Sequence, residues 1–126
     1  MLRCALLTAV LAVVSTSATA QAPRNFPPTA LRGEITITQP PELALNGQPA
    51  RLAPGARIRG QNNLLVLSGA MVGQRVLVHY TLDPTGNLLD VWILTPGELA
   101  RRPWPATPQQ AAAWTFNPDT QVWSGR

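Results

Sequence analysis

The sequence offers few side chains that could do chemistry, and His79 is the first to consider. It is the single histidine of the chain, and Asp83 and Asp90 are the nearest of six acids. A serine or threonine nucleophile beside His79, with Asp90 in support, would describe a small hydrolase. No pattern supports the second and third members of such a set. We therefore predict no catalytic residue and interpret His79 as a half-exposed strand histidine stacked on an indole.

Metal and cofactor chemistry is not predicted either. One histidine and one nearby aspartate fall short of the three or four ligands that a metal site needs. Cys4 is the single cysteine, and it lies in a segment that we expect to be removed on export. We expect no metal, no cofactor and no disulfide.

Arginines are the main candidates for ligand binding. All ten basic residues are arginine, and guanidinium groups bind carboxylate and phosphate in a bidentate way. If the strands that carry them are neighbours, four arginines share a basic patch: Arg51, Arg57, Arg59 and Arg75. The alternative interpretation is ordinary solubilising charge on exposed strand positions.

The four tryptophans are the second group of candidates, because they could line a sugar- or peptide-binding groove or pack in a core. We expect Trp92 and Trp114 to lie in the core. Trp104, between two prolines, and Trp123, near the end, fit either role. Since exposed aromatics among prolines favour a partner surface, Trp104 joins the four arginines and His79 as a ligand-binding candidate.

The N-terminus predicts export. Residues 1–20 combine Arg3, an apolar run and the small-residue pattern Ala18-Thr19-Ala20, which is typical of a secretory signal peptide. The net charge is +4, and loss of Arg3 with the signal leaves +3. This charge is too modest and too scattered to indicate a nucleic-acid partner. We expect a periplasmic or secreted protein without membrane insertion after signal removal; its oligomeric state stays open.

The centre of the chain predicts a hairpin. Apolar residues alternate through 76–82 and again through 89–93, on either side of a turn that contains Pro84 and Gly86. A four-residue connection places Leu82 opposite Leu89, Tyr80 opposite Val91 and Val78 opposite Ile93, so that both apolar sets share one face. The opposite face is half apolar. We expect Trp114 and Phe116 to cover it, against Leu77, Trp92 and Leu94.

The remaining chain predicts a mainly β fold: a small antiparallel, OB-like barrel of five or six short strands with one short C-terminal helix packed on it. Turn signals such as Asn46-Gly47 recur about every ten residues. Thr107 and Pro108 are a helix start. The predicted order is a signal peptide (1–20), an extended leader (21–32), the barrel (33–94) and a C-terminal segment (95–126) with a helix at 108–114. Within the barrel, 48–52 and 56–59 are predicted as separate strands.

Two resemblances follow from these residues. Residues 33–94, with the Asn46-Gly47 hairpin, Gly73-Gln74-Arg75-Val76 and the strand Asp90–Leu94, resemble exported bacterial OB-like barrels of unknown function. That resemblance implies a ligand-binding sheet face and no particular activity. Residues 75–118, a hairpin followed by Trp114-Thr115-Phe116-Asn117-Pro118, resemble the TonB carboxy-terminal domain. This second resemblance implies an envelope protein-interaction domain.

The sequence therefore favours an exported, non-enzymatic binding or interaction module whose partner is an envelope protein or an anionic ligand. A TonB-like interaction domain and a small hydrolase that uses His79 are the alternatives.

Overall fold

The computed structural model of the chain describes residues 24–125, so the signal segment predicted at residues 1–20 lies outside the described residues. The strands are β1 (Leu31–Gln39), β2 (Glu42–Leu45), β3 (Gln48–Arg59), β4 (Arg75–Leu82), β5 (Leu88–Ile93), β6 (Thr115–Asn117) and β7 (Val122–Ser124). The helices are α1 (Pro96–Leu99) and α2 (Pro108–Ala113), and a 3₁₀ turn spans Ser68–Met71. The fold is mainly β, as predicted.

Strands β1 to β5 form one mixed sheet, in which neighbours follow the order β1-β2-β3-β5-β4 and β4 pairs again with β1. Four of these pairings are antiparallel, and the β3–β5 pairing is parallel. The prediction of a purely antiparallel sheet was therefore wrong at one pairing. That pairing joins strands far apart in sequence, so local alternation carries no signal for its direction.

The β4–β5 hairpin has the predicted register in its middle. The confirmed pairs are Val78 with Ile93, and Tyr80 with Val91; His79 pairs with Trp92. Near the turn the prediction was wrong, because an irregularity pairs Leu82 with Leu88 instead of Leu89. A bulge of this kind inserts one extra residue and re-aims the side chains that follow. As a result Leu88 is fully buried and Leu89 faces solvent.

Strand β3 is one continuous strand, although the sequence suggested two. It begins after a two-residue turn in which Asn46 (φ 52°) and Gly47 (φ 80°) both take positive φ, as a type I′ hairpin requires. Its pairing with β5 shifts between Leu52 and Arg57. Gly55 lies inside that interval with φ 78°. The turn signal at residues 53–55 thus marks an irregularity within the strand and not its end.

The interior of the main sheet holds one apolar core, which Met71 of the 3₁₀ turn also enters. Alternate residues of each strand point into it because side chains on a strand change face at every residue. Its buried members are Leu31, Ile35, Ile37, Leu43, Leu52, Ile58, Met71, Val78, Tyr80, Leu88 and Val91.

A second apolar cluster covers the outer face of the hairpin. Its buried members are Phe26, Ala30, Leu94, Trp104 and Trp123. Trp114 and Phe116 do pack against this cluster, but both are only partly buried, so the core position expected for Trp114 was wrong. Leu77, which was expected beneath them, is 43% exposed. The cover is built from the leader, from Trp104 and from β7.

Helix α2 lies beside both clusters, because its Ala111 packs against each of them. Its N-cap is the predicted Thr107, whose Oγ1 accepts a hydrogen bond of 3.2 Å from the Gln110 amide. The helix ends at Ala113, one residue before the predicted end.

Candidate functional site

The structure separates the four arginines that the sequence placed in one patch. Arg51, Arg57 and Arg59 lie on β3, whereas Arg75 begins β4. The neighbours of β3 are β2 and β5, and Arg75 is paired with Thr36 of β1. The assumed adjacency of the two arginine-bearing strands was therefore wrong. Arg51 is set apart as well, since its Nε lies 3.6 Å from a carboxylate oxygen of Glu42 on the surface.

Arg57 and Arg59 remain together. They are two residues apart on β3, and Ile58 between them points into the core, so both side chains point outward. Across the parallel pairing, Arg57 is level with Asp90 and Arg59 with Trp92. We call these four residues the β3–β5 face. Neither arginine forms an ion pair with an acid within residues 24–125.

A groove of about 500 Å³ lies at the Arg59 end of this face, and Arg57 is outside its lining. Its lining residues are Arg24, Asn25, Arg59, Asn63, Asp90 and Trp92. Trp92 is half-buried and is held by Phe26 in an edge-to-face contact with a centroid distance of 5.5 Å. Asp90 is the one acid in the lining, and its carboxylate accepts a 3.4 Å hydrogen bond from Thr81. The lining thus contains an indole, the guanidinium groups of Arg24 and Arg59, and two amides.

His79 and Trp104 lie elsewhere, in the interior. His79 is fully buried, and its ring stacks on Trp104 with a centroid distance of 4.1 Å. The half-exposed position predicted for His79 was wrong, and the indole that it stacks on is Trp104. Trp104 is 6% exposed, and its Nε1 donates a hydrogen bond of 2.9 Å to the Ala30 carbonyl. Neither residue presents its ring to the surface.

The electrostatics of His79 also indicate a structural role. Burial, and after it the positive charge of Arg32, lowers the pKa of His79 to about 3. Nε2 accepts a hydrogen bond of 3.2 Å from Arg32, so the neutral ring carries its proton on Nδ1. Nδ1 has no hydrogen-bond partner within the described part of the chain. A general base works with a pKa near the operating pH and within reach of substrate, and His79 meets neither condition here.

A buried ion pair connects the leader to α1, and it was not predicted from the sequence. Arg24 donates to both carboxylate oxygens of Glu98, at 2.7 Å and 2.9 Å, and Glu98 is fully buried. Burial alone would raise the pKa of Glu98, but the hydrogen bonds from Arg24 and from the Thr95 amide lower it to about 2. Part of this arrangement was detectable, because Thr95-Pro96-Gly97-Glu98 is a capping box. Nothing local indicates Arg24 as the partner.

Two further kinds of functional feature are absent from residues 24–125. No group of three or more potential ligands is placed to hold a metal ion. In the same residues, no helix has the length and apolar character needed to cross a bilayer.

Comparisons of the chain with protein-family models, with characterised proteins and with solved structures found no match. Function is therefore inferred from the geometry of the β3–β5 face.

Proposed function

We propose that the protein is an exported, non-enzymatic binding module of the cell envelope, built on an OB-like barrel, and that its β3–β5 face binds an anionic partner. Support for the OB-like interpretation is the strand order β1-β2-β3-β5-β4 that returns to β1, together with the parallel β3–β5 pairing. OB-fold barrels bind their ligands on a sheet face. Support for export is the signal-like pattern of residues 1–20.

The observation that carries the proposal is the placement of Arg57 and Arg59. Two outward guanidinium groups lie side by side on one strand and form no ion pair with an acid of residues 24–125. Against these two cations the face has one carboxylate, that of Asp90, which is engaged by Thr81. Charge-assisted hydrogen bonds from paired arginines to phosphate or carboxylate are stronger than neutral ones. The adjacent half-buried Trp92 adds an apolar surface for the uncharged part of the ligand.

A titration with soluble anions tests this function. Inorganic phosphate and inositol hexakisphosphate are added to the isotope-labelled protein, and the side-chain resonances of Arg57, Arg59 and Trp92 are followed by NMR. We expect saturable shifts at these three residues. The double variant Arg57→Gln/Arg59→Gln should weaken binding of the polyphosphate by about tenfold or more, since hydrogen bonds to charged groups contribute about 1.5–3 kcal/mol each.

The matched control is Arg51→Gln/Arg75→Gln, which removes the same charge from outside the face. Equal loss of binding in the two double variants would mean that net charge alone attracts the anion. Such a result, or shifts confined to other residues, would refute the β3–β5 face as the site.

A further inference from the structure

The segment that follows β3 turns back along the same strand and presents leucines to solvent. Leu64, Leu65 and Leu67 are 65%, 68% and 82% exposed. We call Leu64–Leu67 the leucine loop. The remaining residue of the loop, Val66, packs against the apolar core of the main sheet instead. Three such exposed leucines in four residues are an apolar patch without an internal partner.

The leucine loop is held firmly against β3. Arg59 and Leu65 form an antiparallel bridge, flanked by the hydrogen bonds Val66 N–H to Ile58 C=O and Gly60 N–H to Leu64 C=O, each 2.8 Å. Since Val66 points inward, Leu65 on one side of it and Leu67 on the other point outward. The leucines are thus held in place by the sheet.

The same geometry places the leucines beside the arginines. Leu65 is level with Arg59, and Leu67 follows two residues later in an extended conformation (φ −75°, ψ 133°). The antiparallel direction carries Leu67 toward Arg57. The outer surface therefore passes from the half-buried Trp92, through the two guanidinium groups, to the exposed leucines.

We infer that this combined surface docks onto an anionic phospholipid bilayer, with the leucine loop entering the acyl boundary and Arg57 and Arg59 binding lipid phosphates. This inference rests on the proposed function and names its anionic partner. The charge of the two arginines matches a layer of phosphates. Apolar side chains next to cations are the combination that binds membrane interfaces.

A protein partner fits the same surface less well. Protein interfaces are enriched in aromatic residues at their centres, and leucine is under-represented among their energetic hot spots. Here the most exposed side chains are leucines on a loop, and the nearby Trp92 is half-buried. Acyl chains require no matching shape, so flexible aliphatic side chains suffice to bind them.

Sedimentation with vesicles tests the inference on the full chain after signal removal. The probes are vesicles of phosphatidylglycerol and phosphatidylcholine in a 3:7 ratio, and vesicles of phosphatidylcholine alone. We expect binding to the anionic vesicles, weakened by salt, and little binding to the neutral ones. Arg57→Gln/Arg59→Gln should weaken binding by about 25-fold, at about fivefold for each arginine near the surface.

The leucine contribution is measured with Leu65→Ser/Leu67→Ser, which we expect to weaken binding by about tenfold or more because both side chains lose burial in lipid. The matched control is Leu77→Ser/Leu82→Ser, at leucines that are 43% and 38% exposed outside the loop; it should bind like the unaltered protein. In addition, a Leu67→Trp variant should show quenching of the new indole by brominated acyl chains.

Four outcomes would overturn the inference. The first is that the protein does not bind anionic vesicles, and the second is that the two leucine variants bind them equally well. The third is that the leucines are needed to capture a protein while vesicles are not bound. The fourth is that the leucines are needed for dimerisation, seen by sedimentation velocity, while vesicles are not bound. If vesicles fail while inositol hexakisphosphate still binds through Arg57 and Arg59, the anion-binding function stands and the lipid partner is wrong. If neither vesicles nor inositol hexakisphosphate bind, both the lipid partner and the proposed anion-binding function are wrong.

Discussion

Arg24 and Glu98 are 74 positions apart in the chain, yet their side chains form a two-pronged ion pair with N–O distances of 2.7 Å and 2.9 Å. The same guanidinium also donates hydrogen bonds to the Gly60 and Ile93 carbonyls, at 2.8 Å and 2.6 Å. One guanidinium thus joins the leader to α1, to the end of β3 and to the end of β5. Arg24 also lines the groove, so the shape of the candidate site depends on this ion pair.

The first prediction concerns this pair. Glu98→Gln leaves the Arg24 charge largely buried without a carboxylate, and breaking a buried pair in this way costs about 3–5 kcal/mol. We expect that loss in the free energy of unfolding, measured with urea at pH 7.5. The control is Glu42→Gln, which removes the exposed partner of Arg51 and should cost about 0–1 kcal/mol. Equal losses for the two variants would show that the buried pair contributes no more to the free energy of unfolding than the exposed one.

The second prediction concerns pH. The pKa of His79 is lowered from 6.5 to about 3, so between these values the unfolded chain binds a proton that the folded chain does not. The pKa of Glu98 is lowered from 4.5 to about 2, which has the same sign at lower pH. His79 and Glu98 therefore stabilise the folded state at neutral pH, and this contribution is lost as the pH falls through both intervals.

Between pH 7 and pH 5 the His79 contribution alone should remove about 2 kcal/mol, at about 1.4 kcal/mol per pH unit below 6.5. Urea unfolding at pH 7, 6 and 5 measures this slope. The variant His79→Gln lacks the titrating ring, so its free energy of unfolding should be nearly constant over the same interval. An unaltered chain that is equally stable at pH 7 and pH 5 would contradict the prediction.

The prediction of strands from sequence worked where the cause is local. Alternation of apolar residues located β4 and β5, and Asn46-Gly47 located the β2–β3 turn, because both signals arise within a few residues. The parallel β3–β5 pairing was missed because nothing near β3 encodes a partner some thirty residues later. For the same reason, Arg24 could not be predicted from the sequence as the partner of Glu98.

The candidate site was predicted in part. Arg57 and Arg59 lie on one outward face, as their spacing on a strand requires. Arg75 is absent from that face because strand order, which the sequence leaves open, places β5 between β3 and β4. Trp104 was expected to suit a surface because prolines flank it. Its indole instead fills the gap between His79 and Trp123, a long-range packing effect.

The third prediction compares two buried tryptophans. The Trp104 indole N–H donates to the Ala30 carbonyl, whereas that of Trp123 has no partner among the described residues. Trp104→Phe leaves a buried carbonyl unsatisfied, but Trp123→Phe removes a donor that was already unsatisfied. We expect Trp104→Phe to cost about 1–3 kcal/mol more in the free energy of unfolding. The opposite order, measured by urea at pH 7.5, would show that lost volume outweighs the hydrogen bond.

The last prediction concerns the C-terminal cover of His79. Gln121 binds the leader through two hydrogen bonds with the Phe26 backbone, its Oε1 accepting at 2.8 Å and its Nε2 donating at 3.3 Å. Trp123 packs on Trp104 with a centroid distance of 6.1 Å, and Trp104 in turn stacks on His79. A chain that ends at Pro118 loses both Gln121 and Trp123. Water should then reach the aromatic cluster.

We expect this shortened chain to keep the main sheet but to be less stable by about 3–5 kcal/mol, the usual cost of deleting a large buried aromatic side chain. Because the low pKa of His79 comes first from burial, the pKa should rise toward 6.5 as the cover is lost, which an NMR titration of the imidazole measures. Val122→Ala is the control, since that residue is 50% exposed on the same strand. A shortened chain in which the pKa of His79 stays near 3 would show that Phe26 and Trp104 are sufficient to bury the ring, and that β7 covers nothing essential.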